Sequence, residues 1–133
     1  MRVLIVEDEM AIALDIEAMV LADGHEVIGL ARTEKEALEL APEAEIALVD
    51  IRLADGLSGP KLARKLLKGF DIAVIYVTGN PEVALDSGAD GVAVVSKPQT
   101  PEKILEAIHL AAAWRNGRTL RASQHATNLE DST

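Results

Sequence analysis

Four short stretches of the chain hold residues that could do chemistry: Glu7-Asp8-Glu9, Asp50, Thr78-Gly79-Asn80 and Ser96-Lys97-Pro98. Each follows directly on an apolar run, "RVLIV", "IALV", "IAVIYV" and "GVAVV". A carboxylate at the tip of a hydrophobic strand is costly unless something compensates it. Taken singly, each stretch has an ordinary explanation. Acids suit the positive end of a helix, Asp50 could end a strand as a turn residue, Thr78 could be a strand-end threonine, and Lys97 could be solvated. Four such coincidences in register with four strand ends are much rarer than any one. Crowded carboxylates repel and hold their protons more tightly unless a cation enters. An all-oxygen set of this kind suits Mg2+. A carboxylate held beside Mg2+ and a lysine can attack phosphorus and form an aspartyl phosphate. The metal and the lysine would balance charge on the transferring oxygens. A threonine hydroxyl could bond a third oxygen, and backbone N–H groups near Gly79 could add donors.

The elements that must position these residues alternate along the chain. Strands are expected at 2–6, 26–31, 46–49, 72–77 and 91–95, from continuous, β-branched apolar runs. Helices are expected between them. The first covers about 10–22 and stops at Asp23-Gly24. The second starts at a Thr33/Glu36 capping box and ends at Pro42. The third starts at Ser58 and Pro60 and ends at Gly69. A fourth helix follows Asn80-Pro81, spans only 81–87 and must end by Gly88. The fifth starts at Thr100-Pro101 and runs to Asn116-Gly117. This predicts an α/β fold, a (βα)5 doubly wound parallel sheet with helices on both faces. Right-handed crossovers bring all the strand C-termini to one edge, where such sheets carry their functional crevice. Residues 1–117 form the domain, and the polar segment 118–133 reads as a disordered tail. A fourth helix this short is marginal without good packing, so two alternatives stand: it is mobile and orders on phosphorylation or partner binding, or it is short but well packed.

The bulk numbers narrow the function. A chain of 133 residues, 49% hydrophobic, supports one core, and at 2% aromatic that core must be aliphatic. A net charge of −9 argues against nucleic acid or an anionic membrane as partner. The absence of cysteine excludes disulfides, thiolate metal sites and a cysteine nucleophile. The N-terminus is too short in apolar residues for a signal peptide, and no segment approaches a transmembrane span. A cytoplasmic protein is expected, monomeric or a weak homodimer.

"VEDE", "LVDIRL", "VTG" and "SKP", in this order and spacing, resemble the receiver domain of bacterial two-component response regulators over about residues 2–116. The resemblance implies the flavodoxin-like strand order 2-1-3-4-5. It also implies that Asp50 is the phospho-acceptor, with the phosphoryl group coming from a histidine kinase or a phosphotransfer protein. It implies Mg2+ held by Asp8 and Asp50 directly, by Glu7 through water, and by the backbone carbonyl of Arg52. Thr78 and Lys97 match the hydroxyl and the ammonium that meet the phosphoryl group, and Pro98 matches a proline that often follows a cis peptide bond. His25, His109 and His125 do not sit near the expected pocket, in keeping with an external donor. Arg52 and Asn80 flank the site and are expected to tune its lifetime. Nothing after residue 117 is long enough for an output domain, so a stand-alone regulator is expected. It would signal through the face formed by the fourth helix, strand five and the fifth helix. Trp114 near the end of the fifth helix could contribute, or could anchor it. The chain departs from the family at the usual aromatic switch position, which is Val94. Tyr76 in "YVTG" is a candidate substitute, similar to a variant subgroup with an aromatic-x-Thr-Gly motif. That match is partial, since Ala73 and Val74 stand where a proline and an aromatic are expected. Gln99 replaces an aromatic often found after "KP".

The resemblance implies a phospho-acceptor able to catalyse its own phosphorylation and dephosphorylation, rather than an enzyme with turnover. The alternatives are a phosphate shuttle or sink without its own output, and a Mg2+-dependent phosphatase using Asp50. Haloacid-dehalogenase-type phosphatases place a second Asp two residues on, where this chain has Arg52. A flavodoxin-like cofactor binder would need a Gly-, Ser- or Thr-rich phosphate loop after strand one, and "EDEM" is its electrostatic opposite. A degenerate receiver would not need Glu7, Asp8, Asp50, Thr78 and Lys97 together.

Overall fold

The computed structural model describes residues 1–53, 59–82 and 93–131. Within these it has five strands, β1 (Arg2–Val6), β2 (Glu26–Ala31), β3 (Ile46–Val49), β4 (Ala73–Thr78) and β5 (Ala93–Ser96). The described residues also form four α-helices, α1 (Met10–Ala22), α2 (Glu34–Leu40), α3 (Gly59–Phe70) and α4 (Pro101–Asp131), with a 3-10 turn at Ala41–Glu43. The strands form one parallel sheet in the order β2-β1-β3-β4-β5. β1, β3 and β4 lie inside the sheet and are buried on both faces, which is why their sequences are continuously apolar. The alternation of side chains splits the core in two. Leu4, Val6, Ala47, Val49, Val74 and Tyr76 pack under α2 and α3. Val3, Ile5, Ile46, Leu48, Ile75 and Val77 pack under α1 and α4.

Local signals set most of the ends. α1 closes on Gly24, at φ +84°, with Gly24 N–H donating to Leu21 O at 3.0 Å and His25 N–H to Val20 O at 3.3 Å. Glycine takes that left-handed conformation without steric cost. At α2, Thr33 Oγ1 accepts from Glu36 N–H at 3.3 Å, and the Glu36 carboxylate reaches back to Arg32 N–H at 2.8 Å, one residue earlier than in a standard capping box. Thr100 Oγ1 caps α4 by accepting from Lys103 N–H at 3.2 Å.

Three expectations are corrected. Gly69 does not end α3, which continues to Phe70, and the chain reverses at Asp71 with φ +56°. Aspartate tolerates this conformation better than most residues. β4 includes Thr78 and begins at Ala73 instead of Ile72. The last helix passes Asn116-Gly117 and continues to Asp131, so residues 118–131 are helical where the polar composition predicts a disordered tail. Gly117 lacks the positive φ of a terminating glycine. One interior glycine costs a helix only about 1 kcal/mol, and the Arg, Leu, Ala and Gln that follow are helix-compatible. The expected fourth helix lies outside the described residues beyond Glu82, as do the Asp55-Gly56 loop, the Ser58 cap, Gly88 and the first two residues of the expected strand five.

Candidate functional site

The C-terminal ends of β1, β3, β4 and β5 bring the predicted residues to one edge of the sheet. Glu7 follows β1, with its side chain only 2% exposed. Its N–H donates to Ala31 O at 2.9 Å, so the strand ladder fixes its backbone. Asp50 follows β3, with its N–H on Val6 O at 2.9 Å. Lys97 follows β5, with its N–H on Thr78 O at 2.8 Å. Lys97 Nζ reaches Glu7 Oε1 at 2.7 Å and Asp50 Oδ2 at 3.3 Å. Asp8 completes the cluster, and carboxylate oxygens of Glu7, Asp8 and Asp50 all lie within 4.8 Å of one another.

Of the three acids after β1, Glu7 and Asp8 belong to this cluster. Glu9 is the N-cap of α1, but its side chain makes no capping hydrogen bond. Glu7 instead accepts from Glu9 N–H at 3.4 Å and from Lys97. Burial pushes the Glu7 carboxyl up to about 7, with Asp50 adding to the rise and Lys97 opposing it. For Lys97, burial works to lower the pKa, but the Glu7 and Asp50 carboxylates outweigh it and the net direction is up. The ammonium therefore stays charged between two carboxyls. Three hard oxygen donors at this spacing, short of positive charge, fit a divalent cation of the Mg2+ type that keeps several waters.

Thr78 is buried, and its Oγ1 accepts from Asn80 N–H at 3.0 Å, which leaves its O–H as a donor. Arg52 N–H donates to Asp50 Oδ1 at 3.3 Å, and the Arg52 side chain is exposed. Asn80 is also exposed. The Lys97–Pro98 peptide bond is cis. Tyr76 and Val94 are register partners on adjacent strands, so they share a face of the sheet. Tyr76 is 1% exposed in the core beneath α3, whereas Val94 is 36% exposed. Any switch through Tyr76 would have to repack that core. Trp114 packs against the core under α1 and α4. His25 sits at the opposite end of the sheet, bonded to Asp23 at 2.7 Å, and His109 is exposed on α4. His125 lies beyond Gly117, the last residue whose side chain is described.

Gly59 is a site residue that sequence reasoning missed. A Cβ there would lie 2.5 Å from Ile51 Cα, 2.6 Å from Asp50 O and 2.7 Å from Ile51 O. The Gly59 N–H donates to Ile51 O at 3.0 Å. The first turn of α3 is thus pressed against the backbone that presents Asp50, and only a residue without a side chain fits. The signal available in the sequence was a Gly-Pro pair at a helix start shortly after Asp50.

The family model of the response regulator receiver domain matches residues 3–109. The chain belongs to the response regulator receiver family. This receiver is 39% identical over 129 residues to the phyllosphere-induced regulator PhyR of Methylorubrum extorquens, a match covering 94% of this chain and 48% of that protein. The crystal structure of the response regulator PhyR from Brucella abortus superposes with a TM-score of 0.84 at 38% identity, covering 93% of this chain and 52% of that one. The anti-anti-sigma factor PhyR from Bartonella quintana gives 0.77 at 36% identity, covering 92% and 51%. The receiver spans about half the length of the curated relatives it matches.

Proposed function

We propose that this receiver accepts a phosphoryl group on Asp50 in a Mg2+-dependent reaction and signals by protein–protein contact. The observation that carries this reading is the placement of the Lys97 ammonium between the Glu7 and Asp50 carboxyls, with Asp8 beside them. An Asp50 carboxylate oxygen attacks phosphorus of a phosphohistidine. The O–P bond forms as the N–P bond breaks, and the imidazole nitrogen keeps the electron pair. Glu7, Asp8, Asp50 and the carbonyl of Arg52 would hold Mg2+, which when bound supplies charge compensation for the phosphoryl oxygens. Lys97 would pair with one of those oxygens, and the Thr78 hydroxyl would donate to another. Arg52 and Asn80 border the site and would tune the lifetime of the phosphoryl group.

The donor would be a histidine kinase or a histidine phosphotransfer protein, as for a member of this family, in keeping with His25 bonding Asp23 at the opposite end of the sheet. The output is a downstream protein that docks on the side of β5 and α4. The likeness to an anti-anti-sigma factor makes a protein of the anti-sigma class the kind of partner to try first. No helix among the described residues is long and apolar enough to cross a membrane, and a kinase-fed receiver would work in the cytoplasm.

The test is labelling by acetyl phosphate with Mg2+, read by intact mass. Wild-type protein should gain one phosphoryl group and Asp50→Asn should gain none. Undiminished labelling of Asp50→Asn would remove Asp50 as the acceptor. Sustained turnover of p-nitrophenyl phosphate would favour the phosphatase instead.

A further inference from the structure

One side chain ties the turn that carries Lys97 to the last helix. Lys103 Nζ lies 3.4 Å from the Ser96 carbonyl oxygen and 3.3 Å from that of Pro98. These carbonyls belong to the residues on either side of Lys97. Lys103 is the third residue of α4, and its N–H donates to the cap, Thr100 Oγ1, at 3.2 Å. The next residue, Ile104, is fully buried, and its N–H donates to Thr100 O at 3.0 Å. The base of the Lys103 side chain is therefore fixed by a cap and by the core.

Its position breaks a local rule. A cation in the first turn opposes the helix dipole. Three residues after a threonine cap, glutamate or glutamine would complete a capping box. Thr100-Pro101-Glu102-Lys103 puts a lysine there instead. The two carbonyls facing the ammonium offset that cost. Such breaches of local preference tend to fall where the chain serves a site.

Besides the Lys97 ammonium on Glu7 and Asp50, the turn is tied at both ends. Lys97 N–H bonds Thr78 O at 2.8 Å on one side, and the Gln99 side chain bonds Asp15 at 2.9 Å on the other. Lys103 spans the turn between them. A shift of this turn would move Lys97 Nζ relative to both Glu7 and Asp50. We propose that Lys103 is a positioning residue for Lys97, holding the flanking carbonyls so that the ammonium meets Asp50. The proposal rests on the reading of Asp50 as acceptor and Lys97 as its charge partner.

The full chain with Lys103→Ala and Lys103→Arg tests it by two measurements. The first is amide exchange at Lys97, whose N–H is bonded to Thr78 O. It should speed up about fivefold in Lys103→Ala, the scale of one net hydrogen bond, and return toward wild type in Lys103→Arg. The second is the rate of Asp50 phosphorylation by acetyl phosphate at saturating Mg2+. It should fall about fivefold in Lys103→Ala, with the Mg2+ half-saturation unchanged and recovery in Lys103→Arg. In a Lys97→Ala background, Lys103→Ala should cost nothing further, because the group it positions is gone.

Wild-type exchange and rate in Lys103→Ala would overturn the proposal. So would an equal loss in the Lys97→Ala background, or a shift in Mg2+ half-saturation in place of the rate. A wild-type protein that takes no phosphoryl group would refute the acceptor reading alone. The exchange measurement would then still decide whether Lys103 holds the Lys97 turn.

Discussion

Two glycines in α3 should respond in opposite directions to the same substitution. At Gly59 a new Cβ would meet backbone atoms at 2.5, 2.6 and 2.7 Å, belonging to Ile51 and Asp50. Ordinary contact begins near 3.4 Å, so the Asp50–Ile51 backbone or the start of α3 must move by close to 1 Å. No rotamer change relieves a clash with backbone. Overpacking of this kind costs about 1–3 kcal/mol. The gain in helix propensity from Gly to Ala returns at most about 1 kcal/mol, and less in the first turn. Gly59→Ala should therefore lose about 1–2 kcal/mol, a fall in Tm of roughly 3–8 °C for a domain this size. At Gly69 nothing lies within 4 Å of a new Cβ and φ is not positive. Gly69→Ala should gain up to about 1 kcal/mol. The functional contrast is sharper than the thermodynamic one. A displacement of about 1 Å at the attacking group can cost about 100-fold in rate. Gly59→Ala should label with acetyl phosphate far more slowly than wild type at a temperature where both are folded, and Gly69→Ala should label normally. Urea unfolding and time-resolved intact mass read both effects. Wild-type stability and labelling rate in Gly59→Ala would refute the claim that this contact sets the position of Asp50.

Two further outcomes follow from the acidic cluster. Burial raises the Glu7 carboxyl to about 7 from an ordinary 4.5, so between those values the metal-free folded state holds a proton that the unfolded chain has released. Stability in EDTA should thus be greatest below about pH 4.5 as far as Glu7 contributes, and fall by up to about 3 kcal/mol as pH rises through 7. Urea titrations of wild type and Glu7→Gln across this window isolate the effect, and a constant difference between the two would rule it out. Calorimetric titration with Mg2+ should show a larger loss of affinity for Asp8→Asn than for Glu7→Gln, since the family resemblance implies that Asp8 would ligate the ion directly and Glu7 through water; the reverse order would overturn that ranking.

Much of the fold was legible because its interior strands are buried on both faces. β1, β2 and β3 fall at the residues the apolar runs predict, and the parallel direction of the strands follows from strand–helix alternation with right-handed crossovers. Thr33 and Thr100 cap their helices as their local patterns indicate. The helix ends were less legible. Gly69 and Gly117 read as stops, but a glycine ends a helix only where the chain needs a positive φ, and neither has one.

At the site, the sequence by itself determined which chemical groups follow each strand: carboxylates after β1 and β3, a hydroxyl at the end of β4, an ammonium after β5. Their meeting was decided by tertiary structure, since the Lys97 contacts to Glu7 and Asp50 join residues 90 and 47 positions apart. The raised pKa of Glu7, the burial of Tyr76, the pressure of Gly59 on Asp50 and the grip of Lys103 on the Lys97 turn were decided there too. The physical reason is the same for each. Residue type sets what a group can do, whereas burial and close approach depend on neighbours that only the packed sheet and helices bring within a few ångströms.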